Sequence, residues 1–301
     1  MSQGLASSTL MQYRSGQAKF FAFCAEMRAP PVPATEVLIL RFVASWAGQL
    51  TAGTIQSYLS AVRYLHILNG LPNPLEHFER VRLVLRALKK RDGARRERAP
   101  VSIEMLSAIR RSLDFACYNN VLFWAATMLA FFGFLRVSEF TVVGAFCEKF
   151  DLSGEDAMFF ADLSGVVLRL KSSKTDTFRK GVSVTIGATQ SPLCPVLALI
   201  EYLRLRRNKS SGALFRFQNG RPLSRKWFSD RLKLACAASG AQGDFTAHSL
   251  RIGAATTAAA AGFTSREIQV LGRWTSDAYK LYIRASRRVL TSAARRLLRL
   301  G

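Results

Sequence analysis

Residues 121–135, VLFWAATMLAFFGFL, run for 15 positions without a charged side chain. A helix built from such a run is apolar around its whole circumference and cannot rest on a surface. A membrane-crossing helix needs ~20 apolar residues, and this run stops at Arg136. It therefore predicts the buried central helix of a globular domain, with other elements wrapped around it. With 301 residues the chain exceeds what one core usually serves, since single cores stop growing near ~250–300 residues. Two domains are expected.

Residues 1–90 read as a compact four-helix bundle. Residues 8–27 place Leu10, Tyr13, Phe20, Phe21 and Cys24 at roughly helical spacing. Pro30, Pro31 and Pro33 break that helix, and Thr35 caps the next, 36–46. Residues 51–68 set Ile55, Tyr58, Leu59, Val62 and Leu65 on one face, and Asn69-Gly70 ends the helix. Pro74 opens a fourth, over 75–90. The stretch 89–100, KKRDGARRERAP, then has the composition of a linker, and the boundary is set at residues 91–100. It reads either as a solvated hinge or as a basic strap on phosphates, in which Lys89, Lys90, Arg91, Arg95, Arg96 and Arg98 would release counterions. A nuclear-import signal is compatible with the same residues.

Residues 101–301 form the second expected domain. Helices are expected over 102–113, 119–132, 195–207, 224–238, 248–261, 265–271, 276–285 and 288–300. Between them the period changes to two. VVLRL (166–170) and VSVTI (182–186) alternate as strands around the turn KSSKTDTFRKG, and Phe159-Phe160 supplies a third strand. The fold class is mainly α: a four-helix front domain, then an α+β domain with a small three-stranded antiparallel sheet.

Charge and cysteine content narrow the function. Lys and Arg number 43 against 20 Asp and Glu, a formal charge of +23. A globular body of that charge needs an anionic partner, nucleic acid or an acidic membrane surface. The five cysteines are scattered, with no CxxC. They read as buried, reduced thiols of an intracellular protein rather than a zinc site or a disulfide frame. No apolar signal core begins the chain, and neither Walker A, GxGxxG nor HExxH occurs. No cofactor and no metal site are expected. Asp151, Glu155, Asp156 and Asp162 would have to converge for a metal-dependent nuclease, but their polar loop reads as solvated.

Several cations stand out by context. Arg136 follows the apolar run in LRVSE, Lys174 sits in the strand–strand turn in SKTD, and His248 and Arg251 share a helix start in HSLR. Tyr279 and Tyr282 follow in GRWTSDAYKLYIR. Each alone has an ordinary explanation as a cap or a solvated charge. Together they meet the needs of attack on a phosphodiester. Two arginines clamp the non-bridging oxygens, a histidine donates to one or relays a proton, and a lysine protonates the leaving oxygen. A tyrosine attacks and stores the phosphate as an ester.

This ordered set resembles the tyrosine recombinase (phage integrase) family, and SKTDTFRKG and GRWTSDAYKLYIR look most like its eukaryotic mobile-element branch, the Crypton and DIRS-like recombinases. The front bundle resembles that family's core-binding domain. The resemblance implies catalytic roles for Arg136, Lys174, His248, Arg251 and Tyr282, with Glu139 as the acidic residue after the first arginine. It implies a sixth position near 273–274, filled by Trp274, whose indole N–H can donate to phosphate, or by Arg273. The spacing of 31 residues from Arg251 to Tyr282 fits the family, and Tyr279 would pack beneath the nucleophile. The resemblance further implies a site-specific recombinase on double-stranded DNA, assembling as a tetramer on two sites, with residues 286–300 docking on a neighbour or on their own domain. Its place would be with DNA, in a nucleus if eukaryotic, and not in a membrane. The competing readings are a DNA-binding derivative without catalysis, a type IB topoisomerase, and a helix-turn-helix regulator built on residues 262–276.

Overall fold

The structure is a computed structural model that describes residues 7–93, 97–171, 180–206 and 211–281. The chain divides into two compact units, Met1–Arg96 and Glu97–Gly301.

The first unit holds α1 (Ser7–Glu26), α2 (Glu36–Trp46), α3 (Ala52–Leu68) and α4 (Glu79–Arg91). Thr35 and Thr51 accept the third amide of α2 and α3, at 3.2 and 3.3 Å. Phe20, Ile39, Phe42, Ile55 and Leu59 fill the core between the helices. His66 is buried and structural: its Nε2 accepts the Ala34 amide at 2.8 Å, so Nδ1–H donates to the Val62 carbonyl at 2.8 Å.

Two expectations for this unit need correction. The fourth helix starts at Glu79, not just after Pro74. The Asn73 side chain accepts the Leu75 amide at 3.1 Å, a local bond that competes with helix and delays its start. Lys89 and Lys90 lie in the last turn of α4, within the helix expected to residue 90, and Arg91, set as the start of the linker, belongs to that turn too, where cations complement the helix dipole. Asp92 then turns back and accepts the Ala52 amide at 2.5 Å.

The second unit contains α5 (Ile103–Ser112), α6 (Tyr118–Phe132), α7 (Val137–Phe140), β1 (Ala157–Phe159), β2 (Gly165–Leu170), β3 (Val182–Gly187), α8 (Pro195–Leu205), α9 (Arg225–Ala238), α10 (His248–Ala260) and α11 (Ser265–Leu271). Helix α6 is the apolar run, and every residue from 121 to 131 is buried. Its side chains join Leu199 and Tyr202 of α8, Phe228 and Leu232 of α9, and Leu250 and Ala254 of α10 in one cluster. Fully burying one such Leu or Phe is worth about 1.5–3 kcal/mol, so this helix anchors the unit. The sheet is antiparallel in the order β1-β2-β3. Val166, Leu168 and Leu170 pair with Ile186, Val184 and Val182 and turn inward. The protein is thus mainly helical with a small antiparallel sheet.

Three further corrections concern this unit. Helix α6 stops at Phe132, as expected, but a further helix follows that was not: Phe134 adopts a left-handed φ of 48°, and Arg136 becomes the N-cap of the unforeseen α7. The helix expected over 276–285 is a 3-10 turn, Asp277–Leu281, within the described residues. Cys117 and Cys147 are exposed, while Cys24, Cys194 and Cys236 are buried, because the first two sit outside helix interiors, in an N-cap and a loop.

The acidic loop is only partly solvated. Asp156 is buried, accepts from the Ser153 amide and hydroxyl at 2.8 and 2.6 Å, and pairs with Lys171 at 2.8 Å. Among the described residues, no three His, Cys, Asp or Glu side chains gather as a metal site, and no helix is long and apolar enough to cross a membrane.

Candidate active site

The α6–α7 turn builds the centre of the site. Glu139, buried in α7, accepts the Arg136 amide on one oxygen at 2.8 Å and Arg136 Nη1 on the other at 2.9 Å. Arg273 reaches the same carboxylate with Nη2 at 2.9 Å, and its Nη1 and Nη2 also donate to the carbonyls of Gly133 and Phe134 at 3.0 and 3.2 Å. One carboxylate therefore holds two guanidiniums, and the trio keeps a net positive charge.

Arg251 is the largest fully buried side chain. It donates to the carbonyls of Phe134 and Gly272 and lies 4.3 Å from the centre of the Trp274 ring, a cation–π contact. Gly272 is obligatory for that placement, because a Cβ there would fall 1.6 Å from the Trp274 ring. Trp274 meets Phe134 edge-on and Tyr279 at a tilt, each at 6.2 Å. Tyr279 is buried, as befits a packing role. Arg273 takes a left-handed φ of 54°, so its guanidinium turns to Glu139 while Trp274 lies over Arg251.

His248 stands one helical turn before Arg251 on α10, so the two share a face. Burial pushes its pKa down to about 4, and the charges of Arg98, Arg251, Arg136 and Arg225 push in the same direction. The imidazole is neutral at pH 7 while the site holds no anion, and can accept a proton.

Two of those four arginines lie outside the motif set. Arg98 belongs to a short segment tied to α10 and its approach: Ala99 N–H donates to the Asp244 carbonyl at 3.0 Å and Val101 N–H to that of Ser249 at 3.1 Å. Val101 passes so close to α10 that a Cβ on Gly253 would fall 1.9 Å from its carbonyl oxygen. Arg225 opens α9 after the Ser224 cap, and the Val142 amide, donating to Leu223 at 2.9 Å, ties that start to the exit of α7. Arg225 carries no sequence motif. Its one signal is a basic residue in the first turn of a well-capped helix, where amides also attract anions.

The structure thus brings together Arg136, His248, Arg251 and Trp274, and adds Glu139, Arg273, Arg98 and Arg225. Lys174, Tyr282, Arg95, Arg96 and residues 286–300 lie outside the described residues, and Lys89, Lys90 and Arg91 belong to the first unit. The gathered groups can seat an oxyanion and offer a neutral base beside it.

The phage integrase family model matches residues 107–286. The chain belongs to that family. No curated protein matches its sequence. Solved structures match it nearly end to end at low identity. A XerH site-specific recombinase bound to palindromic difH substrate, in a post-cleavage complex, is 15% identical with a TM-score of 0.64, over 94% of this chain and 78% of the other. A lambda integrase tetramer bound to a Holliday junction is 18% identical with a TM-score of 0.61, over 94% and 73%. The Tn1549 transposon integrase in complex with transposon right-end DNA is 16% identical with a TM-score of 0.57, over 95% and 93%. At these identities the likeness is one of fold, and this phage integrase family member shares it across both units.

Proposed function

We propose that the protein is a site-specific DNA recombinase that cleaves and rejoins strands through a 3′-phosphotyrosine intermediate. The observation that carries the reading is the set of positive charges, Arg98, Arg136, Arg225 and Arg251, around a half-buried His248 whose pKa burial and those charges push down to about 4. In the proposed step the Tyr282 oxygen attacks phosphorus, a P–O(Tyr) bond forms and the bond to the 5′-oxygen breaks. His248 takes the phenol proton, Lys174 gives one to the 5′-oxygen, and Arg136 and Arg251 hold the non-bridging oxygens. Trp274 fills the sixth position and fixes Arg251 through its ring, while Arg273 positions Glu139. One ester replaces another, so no cofactor is required.

The first unit is proposed as a core-binding domain that contacts duplex DNA together with the basic residues Lys89 to Arg98, Arg95 and Arg96 among them. Assembly is proposed as a tetramer on two sites, a reading supported by the lambda integrase tetramer bound to a Holliday junction. Residues 286–300 are its proposed exchange element. Integration of a eukaryotic mobile element of the Crypton or DIRS-like kind, in a nucleus, is the proposed setting, supported by the SKTDTFRKG and GRWTSDAYKLYIR motifs.

The test is a nicked suicide duplex carrying candidate element ends. Wild type and Tyr279→Phe should accumulate a covalent protein–DNA adduct, and Tyr282→Phe should bind DNA without forming one. Adduct in Tyr282→Phe would reassign the nucleophile. DNA binding with no adduct in the wild type would leave a DNA-binding derivative without catalysis.

A further inference from the structure

At the opposite end of α6 from Arg136 lies a cavity of about 470 Å³, lined by Tyr118, Arg206, Arg216, Phe217, Gln218 and Asn219. Helix α6 has 15 residues, so the two ends are ~22 Å apart. Arg206 is only 5% exposed. Its Nη2 donates to the carbonyls of Ser211 and Ala213 at 3.2 and 3.0 Å, while its Nε and Nη1 are buried with no hydrogen-bond partner among the described residues. Arg216 Nη1 donates to the same Ser211 carbonyl at 3.3 Å. Two guanidiniums thus crowd one oxygen, and among the described residues neither has a carboxylate in ion-pair range. The Tyr118 and Tyr202 hydroxyls donate to the Arg216 carbonyl, at 3.0 and 3.1 Å, and the Tyr202 oxygen accepts the Arg216 amide at 2.9 Å. Burial and the neighbouring Arg216 charge lower the Arg206 pKa.

A buried guanidinium with open donors beside a second cation is costly unless an anion joins it. We propose that Arg206 and Arg216 form a second anion site, independent of the strand-exchange site, for the phosphate of a small phosphate monoester. Both arginines line the cavity, and a guanidinium fork matches a phosphate's oxygens. The cavity exceeds what phosphate alone fills and falls in the range of small-ligand pockets. Tyr118 and Phe217 offer ring faces for the rest of the molecule, and Gln218 and Asn219 offer amides, which is the equipment for a nucleoside monophosphate.

The test is calorimetric titration of the full chain with adenosine monophosphate and with inorganic phosphate, at constant ionic strength in chloride. Wild type and Arg136→Gln should both bind the monophosphate, tighter than inorganic phosphate by tenfold or more. Arg216→Gln and Arg206→Lys should weaken it at least tenfold, while Arg216→Gln keeps its affinity for duplex DNA. No saturable binding to wild type would overturn the proposal, as would binding lost in Arg136→Gln but kept in Arg216→Gln. Equal affinity for both ligands would overturn the monoester assignment.

Discussion

Replacing Glu139 by Gln changes one oxygen to an amide and barely alters shape, so it isolates charge and hydrogen bonding. The carboxylate accepts three bonds, from the Arg136 amide, Arg136 Nη1 and Arg273 Nη2, all between 2.8 and 2.9 Å. Its side chain is 1% exposed, and those of Arg136 and Arg273 are 17% and 14% exposed. Removing one partner of a buried ion pair costs about 3–5 kcal/mol. The arginines keep some water, which places the loss at the low end, about 3 kcal/mol. The amide NH2 would also face a donor, since only one of the two ends can still accept. Denaturation in urea, followed by tryptophan fluorescence, reads the right part of the molecule, because Trp124, Trp227 and Trp274 lie in the second unit and only Trp46 in the first. The variant should lose about 3 kcal/mol and, if the proposed chemistry holds, most of its strand cleavage, because Arg136 and Arg273 lose their common anchor. A loss below about 1 kcal/mol would refute the idea that this carboxylate organises the two arginines.

His248 gives a pH signature. Its folded pKa of about 4 lies below the ordinary 6.5, so the unfolded chain binds the proton first and stability falls as pH drops from about 6.5 towards 4. The full shift corresponds to about 3 kcal/mol, reduced to about 1–2 by solvent at this half-buried ring. His248→Gln should lose that component between pH 7 and 5 in denaturation curves, and an unchanged pH slope would refute the assignment. Gly253→Ala should cost about 1–3 kcal/mol by overpacking, because the new Cβ meets the Val101 backbone at 1.9 Å. It should also weaken DNA binding by displacing Arg98. Equilibrium unfolding and a binding isotherm check both, and wild-type values would refute the close approach.

Much of the fold was legible where the periodicity was long or punctuated. The apolar run announced α6, Thr35 announced the start of α2, and the alternation over 166–170 and 182–186 announced the sheet. Helix α7 was not legible, because four residues hold no period and its cap is an arginine. The start of α4 was misplaced because Pro74 signals a helix start by composition, while the deciding Asn73 bond is a matter of geometry. In the site, HSLR placed His248 and Arg251 on one turn of one helix. The bond from Arg273 to Glu139 spans 134 residues, and Arg225 reaches the site through the α7–α9 connection. Neither leaves a local pattern.

Phe134 has a consequence for how this site tolerates change. Its carbonyl receives both Arg251 and Arg273, and the Gly272 and Gly133 carbonyls each receive a second bond from Arg251 and Arg273 respectively. Main-chain oxygens cannot be removed by a codon change, so a change of side chain at Phe134 leaves its carbonyl in place, whereas Gly133 and Gly272 have no room for a Cβ. What such an anchorage does not survive is a change in the path of the chain. A one-residue insertion or deletion between 132 and 136 would rotate every one of the α6–α7 carbonyls away from its arginine. The turn is therefore strict in length, and lineages of this protein should hold its residue count fixed.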